Sequence, residues 1–174
     1  MGMRGARHRF MPNRLVFPGG AVDRADLGAP CAAPLLPQTE HLLRKNANAQ
    51  LAHGLGIAAA RELHEETGLS LGDPPRLDVL HLLARAVTPP PGPIRFNARF
   101  FVVEARHVSG ELGGDGELEK LRYYRMQEAL ALDLALPTRR VLERLQQWLA
   151  MSDADRAART QSPVMQRDRG WRME

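Results

Sequence analysis

The stretch from about Leu51 to Thr67 constrains this chain most, because it is built of helix formers and its last two turns carry three carboxylates. Ala58, Ala59 and Ala60 favour helix in its middle, and Gly68 stands where a helix commonly stops. Within Arg61-Glu62-Leu63-His64-Glu65-Glu66-Thr67-Gly68-Leu69, Glu62 and Glu66 are one turn apart and Glu65 is three residues from Glu62. The three therefore share one face. Like charges at this spacing weaken an isolated helix by roughly a few tenths of a kcal/mol per pair, so something positive should offset them. A hard divalent cation is the natural candidate: Mg²⁺ takes oxygen ligands and is commonly held by a few carboxylates together with substrate phosphates. Arg61 supplies part of the compensation and can orient one carboxylate.

Around this helix the chain alternates short apolar runs with breakers. Arg14 to Phe17 reads as a short strand, broken by Pro18-Gly19-Gly20, which permits a tight turn with exposed backbone. Leu27 to about Gln50, with Pro30, Pro34 and Pro37, reads as an insertion loop with a short helix near Glu40 to Lys45. Arg76 to Val87 and Arg95 to Val108 are rich in Val, Ile, Leu and Phe and read as strands joined by the stiff Thr88-to-Pro93 loop. Gly110 to Gly116 is flexible and acidic, Leu118 to Met126 reads as a further strand, and Gln127 to Leu132 as a short helix. Pro137 opens a helix running to about Met151, with Val141, Leu142, Leu145, Trp148 and Leu149 at helical spacing on a core-facing stripe. Ser152 to Glu174 is polar, arginine-rich and poorly periodic, and reads as a frayed tail.

At 174 residues and 44% hydrophobic, the chain fits one domain with a real core. The formal charge is +4, and Lys45 and Lys120 are the only lysines among 24 basic residues, a balance that points to an acidic partner and no further. Cys31 is the only cysteine, which excludes an internal disulfide, and no apolar run approaches the roughly 20 residues that span a bilayer. A cytoplasmic location with no membrane partner is expected. Nothing but charge supports nucleic-acid binding: aromatics are 5% and no nucleic-acid motif is visible, so no nucleic-acid partner is expected.

The acidic helix end resembles the box of the Nudix hydrolases, G-x5-E-x7-R-E-U-x-E-E-x-G-U with U aliphatic. Arg61, Glu62, Leu63, Glu65, Glu66, Gly68 and Leu69 match all seven fixed positions of its second half. Phe17-Pro18-Gly19-Gly20 matches the first half, with Gly20 as the box glycine and Asp26 where the first glutamate belongs. The box is split, since 34 residues separate Asp26 from Arg61 where the plain box has 7. With Phe10-Met11-Pro12, Val22-Asp23-Arg24-Ala25-Asp26, the run Arg95 to Phe101 and Gly116-Glu117-Leu118-Glu119, the split box resembles the branch that includes the mammalian peroxisomal acyl-coenzyme A diphosphatase and its bacterial relatives. No peroxisomal C-terminal tripeptide is present.

The resemblance implies an α+β Nudix fold, a mixed β-sheet between α-helices, over residues 1–151 with the box insertion at about 27–53 and a polar tail at 152–174. Family members carry a strand or more before the segment matching Met1-Gly2-Met3-Arg4, so a sheet short of its first strand, with an unpaired edge, is expected. It further implies Mg²⁺-dependent attack of water on a phosphorus of a small-molecule nucleoside diphosphate derivative, with Mn²⁺ as a substitute metal and coenzyme A or acyl-coenzyme A as the candidate substrate. ADP-ribose, nucleotide sugars, a catalytically silent nucleotide-binding module and a homodimer all stay open. Glu62, Glu65 and Glu66 are the expected metal ligands, helped by Gly20 through its backbone. The proton acceptor is a box glutamate or one of the later-loop residues Glu117 and Glu119, and Arg61 completes the catalytic set. Arg95 and Arg99 are candidates to hold substrate phosphate, although arginines alternating along a strand are as often a solvated face. A glutamate cluster on a helix is ordinarily a solvated face too, and it is Arg61, Gly68 and the upstream Phe17-Pro18-Gly19-Gly20 that reverse that reading here. His64 is expected to be exposed, and Phe96, Phe100, Phe101 and Trp148 are expected in the core.

Overall fold

The structure, a computed structural model, describes residues 1–5, 13–88, 96–166 and 170–174. Its elements are β1 (Gly2–Arg4), β2 (Leu15–Val16), α1 (Pro37–Arg44), α2 (Ala49–Thr67), β3 (His81–Val87), β4 (Asn97–Val102), β5 (Leu118–Glu119), α3 (Met126–Ala131), α4 (Leu136–Leu149), α5 (Asp153–Ala157), β6 (Pro163–Gln166) and β7 (Gly170–Met173), with 3-10 turns at Ala25–Gly28 and Ala105–His107.

The expected helix forms as α2, two residues longer at its start. Asn48 caps it by accepting a hydrogen bond from the Leu51 amide at 2.8 Å, and Gly68, at φ 73°, closes it with its amide on the His64 carbonyl. Its buried face is mostly small residues, Ala52, Gly54, Gly56, Ala58 and Ala60, so other chain segments approach closely. The 3-10 turn exploits this: Leu27 lies over Gly54, where an added Cβ would sit 2.8 Å from the leucine side chain. A glycine inside a helix costs about 0.5–1 kcal/mol relative to alanine, and the close packing of the turn offsets it. That packing positions the site, because the same turn carries Asp26.

A mixed sheet in the order β4-β3-β6-β7 lies at the centre, with β3 antiparallel to β4 and parallel to β6. On one face Leu82 joins Leu35, Leu42, Leu43, Ala52, Ile57 and Leu77, tying the sheet to α1 and α2. On the other, Leu83 and Ala84 pack with Val141 and Trp148 of α4. Leu83 and Ala84 are consecutive yet share a face because the β3–β4 register shifts between Leu82 and Ala84, a bulge in the ladder. The α+β sandwich expected from the sequence is the observed architecture. No helix among the described residues is long and apolar enough to cross a membrane.

Residues 2–4 form the central strand of a smaller sheet ordered β2-β1-β5. Several expectations need correction. The segment expected to fray is built into the core: β6 pairs with β3, Val164 is completely buried, and Ser162 and Glu174 exchange backbone hydrogen bonds of 3.0 Å in both directions. Its polarity misleads because the arginines find partners inside the fold. Arg156 stacks on the Trp148 ring at 4.1 Å and donates to the Trp148 and Leu149 carbonyls, Arg159 donates to Leu82, and Arg85 of β3 forms a largely buried ion pair with Glu174. The expected strand from Leu118 to Met126 is only two residues long, since Lys120 takes φ 52° and leaves the extended region. The strand expected from Arg76 begins at His81, after a turn in which Arg76 ion-pairs with Asp78. Phe100 and Phe101 are packed as expected, whereas Phe96 is 38% exposed. Phe10, Met11, Pro12 and Arg95 lie outside the described residues.

Candidate active site

Four pieces of chain converge on the C-terminal half of α2. The turn after β2 brings Gly19 and Gly20, the 3-10 turn brings Asp26, the loop 110–117 covers the helix end, and β1 brings Arg4.

Arg61 organises the first two. Its Nε and Nη2 donate to the two carboxylate oxygens of Asp26, each at 3.1 Å, and Nη2 also reaches the Ala21 carbonyl at 3.0 Å. Its Nη1 donates to Glu62 at 2.7 Å and to Glu65 at 2.9 Å. The fork of one guanidinium thus holds a buried carboxylate on one side and two box glutamates on the other. Asp26 is only 3% exposed; burial pushes its carboxyl up, but hydrogen bonds from Arg61 and the Asp23 amide win and leave it below the usual carboxylate range. The same hydrogen bond to Asp26 raises Arg61, with Glu62 adding to the effect against burial. The residue at the position of the family's first glutamate therefore anchors Arg61, and a shorter aspartate suffices because the 3-10 turn presses directly on α2.

The Gly-Gly turn fits the glutamates closely. The Gly19 amide donates to Glu66 Oε2 at 2.7 Å. A Cβ on Gly20 would fall 2.3 Å from Glu62 Oε1, so a larger residue there would push that carboxylate out of this position. Glu66 is 2% exposed, and its carboxyl is pushed up to about 7, first by burial and then by the charges of Glu117 and Glu62, with the Gly19 amide and Arg4 opposing.

The glycine-rich loop is anchored on the helix. The Gly113 amide donates to the Thr67 carbonyl at 2.8 Å and the Asp115 amide to that of Glu65 at 3.0 Å, satisfying carbonyls that a helix end leaves unpaired. Gly114 passes so near the Glu66 carbonyl that a Cβ would meet it at 2.3 Å. Asp115 then accepts from the Glu117 amide at 2.9 Å, which directs the chain so that Glu117 bears on Glu66.

The structure thus gathers Glu62, Glu65, Glu66, Arg61, Gly20 and Glu117. Glu119, exposed on β5 opposite Met3, is not drawn into this cluster by any described contact. Arg99 is turned elsewhere: its guanidinium donates to the carbonyls of Asn97 and Asn46, and burial beside Arg85 lowers its affinity for a proton. His64 is exposed, as expected. Nothing local in the sequence marks Arg4, an arginine near the first residue, or the Gly19 amide as the donor to Glu66.

No group of three or more His, Cys, Asp or Glu among the described residues is already closed around a metal position. The donor set nonetheless fits a hard divalent cation: Glu62 and Glu65, held by Arg61, and the buried Glu66 offer oxygen ligands from one helix end, and the missing Cβ of Gly20 leaves room for Glu62.

A mixed sheet clasped between helices, with a carboxylate cluster on one helix end facing a Gly-Gly turn, defines the Nudix class of fold and site. A NUDIX domain model matches residues 54–145, more than half of the chain and from within α2 to within α4, so the chain belongs to the Nudix family. Among solved structures it is similar to the crystal structure of a NUDIX hydrolase from Alicyclobacillus acidocaldarius, at 24% identity and a TM-score of 0.60, over 82% of this chain and 80% of that one. No curated protein matches. The chain is a Nudix-type hydrolase, of a family that acts on small-molecule nucleoside diphosphate derivatives and generally uses divalent metal ions such as Mg²⁺.

Proposed function

We propose that this hydrolase cuts the diphosphate linkage of coenzyme A or an acyl-coenzyme A, with Mg²⁺ as its metal and Mn²⁺ as a substitute. The observation that carries the reaction is the placement of Glu66, buried, hydrogen-bonded by Gly19 and flanked by Glu62 and Glu117. Glu62, Glu65 and Glu66 would hold the metal, which when bound supplies charge neutralisation for the phosphate oxygens. Arg61 keeps Glu62 and Glu65 oriented while its other edge is fixed by Asp26. Glu117 takes the proton of the attacking water, being the carboxylate that the anchored loop carries to Glu66 without belonging to the box. The coenzyme A reading rests on the resemblance of the split box, with its 34 residues between Asp26 and Arg61, to the acyl-coenzyme A diphosphatase branch.

The test is product release, followed by chromatography and mass spectrometry, from coenzyme A, acetyl-coenzyme A, ADP-ribose and a nucleotide sugar with Mg²⁺ or Mn²⁺. Preferred cleavage of the coenzyme A pair to a 3′,5′-adenosine bisphosphate and a phosphopantetheine is expected. Preferred cleavage of ADP-ribose or the sugar would keep the Nudix chemistry and remove the coenzyme A assignment. Glu117→Gln should lower kcat by roughly 10²- to 10⁴-fold while Mg²⁺ affinity holds. A wild-type kcat in that variant would return the proton-acceptor role to a box glutamate.

A further inference from the structure

We propose that Arg4 grips a non-bridging oxygen of the substrate's diphosphate and orients it over the carboxylate cluster. The inference rests on the diphosphatase reading above and adds a substrate-binding residue to it.

The case begins with β1. Its register sets Arg4 directly opposite Leu118, the residue after Glu117, while Met3 packs with Leu15 on the other side of the strand. Arg4 and the buried Leu118 therefore share the face that looks away from the α3–α4 cluster. The Arg4 stem is partly buried there, and its Nε is enclosed yet has no hydrogen-bond partner among the described residues. An enclosed guanidinium N–H without an acceptor is costly, by roughly 1–3 kcal/mol, so this group calls for a partner that the described residues do not supply. The positive charge is felt at Glu66, so the head lies within electrostatic reach of the cluster.

Among the described residues the site has no comparable donor to offer. Arg61 is committed to Asp26, Ala21, Glu62 and Glu65, and the Gly19 amide to Glu66. A diphosphate arriving at a cluster of carboxylates needs cationic donors beyond the metal, and a planar fork matches two phosphate oxygens at once. Arg4 forms no ion pair among the described residues that would compete for it.

Two measurements test this. The first is calorimetric binding, in Mg²⁺, of adenosine 5′-(α,β-methylene)diphosphate, whose bridging oxygen is replaced by carbon, with adenosine alone as the control. Arg4→Gln should weaken the diphosphate analogue by about 10- to 100-fold and leave adenosine unchanged. Arg4→Lys, which keeps the charge and the stem, should fall between wild type and the glutamine variant; should Arg4→Gln fail to fold, the lysine variant alone decides by the same comparison. The second is steady-state kinetics on the best member of the substrate panel, where KM should rise in the same order. Equal analogue affinities in folded proteins, or a loss that extends equally to adenosine, overturns the role. Absence of turnover by wild type while its analogue affinity still depends on Arg4 would instead fail the diphosphatase reading and leave this inference standing.

Discussion

The C-terminal half of α2 and the segment from Ser152 to Glu174 both depend on arginine, and they use it in opposite ways. Arg61 gathers carboxylates: one buried aspartate and two helix glutamates share a single guanidinium. Arg156 and Arg159 gather backbone carbonyls, those of Trp148, Leu149 and Leu82, and thereby seal the end of α4 against the sheet. The first arrangement leaves a surplus of negative charge and a carboxyl raised to about 7, which is a poor way to stabilise a protein and a good way to receive a cation and a phosphate. The second spends its donors on the backbone and joins the last strands to the core. One region stores a requirement for ligand, and the other supplies the rigidity that holds it.

The strongest way to break this contrast is to delete residues 158–174. If the segment is core, the truncated protein loses Val164, β6 and the Arg85–Glu174 pair together, and cooperative thermal unfolding should vanish. A sharp melt at the wild-type temperature would return the segment to the status of a tail.

Next in size is Asp26→Asn. It leaves Arg61 without its buried anion, at a cost of about 2–3 kcal/mol in chemical denaturation, somewhat below that of a fully buried pair because Glu62 and Glu65 remain. The sign with pH follows from the lowered carboxyl. Its stabilisation is complete above the ordinary value of 3.8 and is lost as pH falls through the lower folded-state value, so the wild-type advantage over Asp26→Asn should shrink only in strong acid. An advantage that disappears near neutrality would contradict the assignment.

Glu66→Gln should act on stability in the other direction. The charged carboxylate is buried and repelled by Glu117 and Glu62, so the neutral amide is expected to raise the melting temperature of the metal-free protein at pH 8 by a few degrees. A lower melting temperature would mean that the Gly19 hydrogen bond outweighs the burial. Arg156→Ala is the smallest change, about 1 kcal/mol for the lost stacking and carbonyl contacts, with turnover unaffected.

The two regions also differ in how much of them the sequence discloses. The helix, its glycine stop and the spacing of Glu62, Glu65 and Glu66 are local, so a run of nine residues specifies them, and the nearby turn of Gly19 and Gly20 is equally plain. The α+β class follows from the family resemblance that these residues carry. The partners of Arg61 are distant in sequence; Asp26 is recognisable only by its place after Gly20, and nothing marks it as a buried anchor. Arg4 carries no local signature. The last two strands are least legible, because a parallel pairing of Arg85 with Val164 has no periodicity to announce it and only a few apolar residues to drive it. Residue type and position recommend Glu119 and Arg99, but Glu119 lies exposed on the short β5 and Arg99 turns to the carbonyls of Asn46 and Asn97.

The most direct test of the central claim, that the carboxylates of α2 are the hydrolytic site, is diphosphate cleavage by wild type and Glu66→Gln side by side with Mg²⁺, on the same substrate panel. The account expects wild-type turnover that a chelator abolishes, and a loss of about 10³-fold in the variant despite its equal or higher melting temperature. A folded Glu66→Gln protein that cleaves the same substrate at the wild-type rate would contradict it.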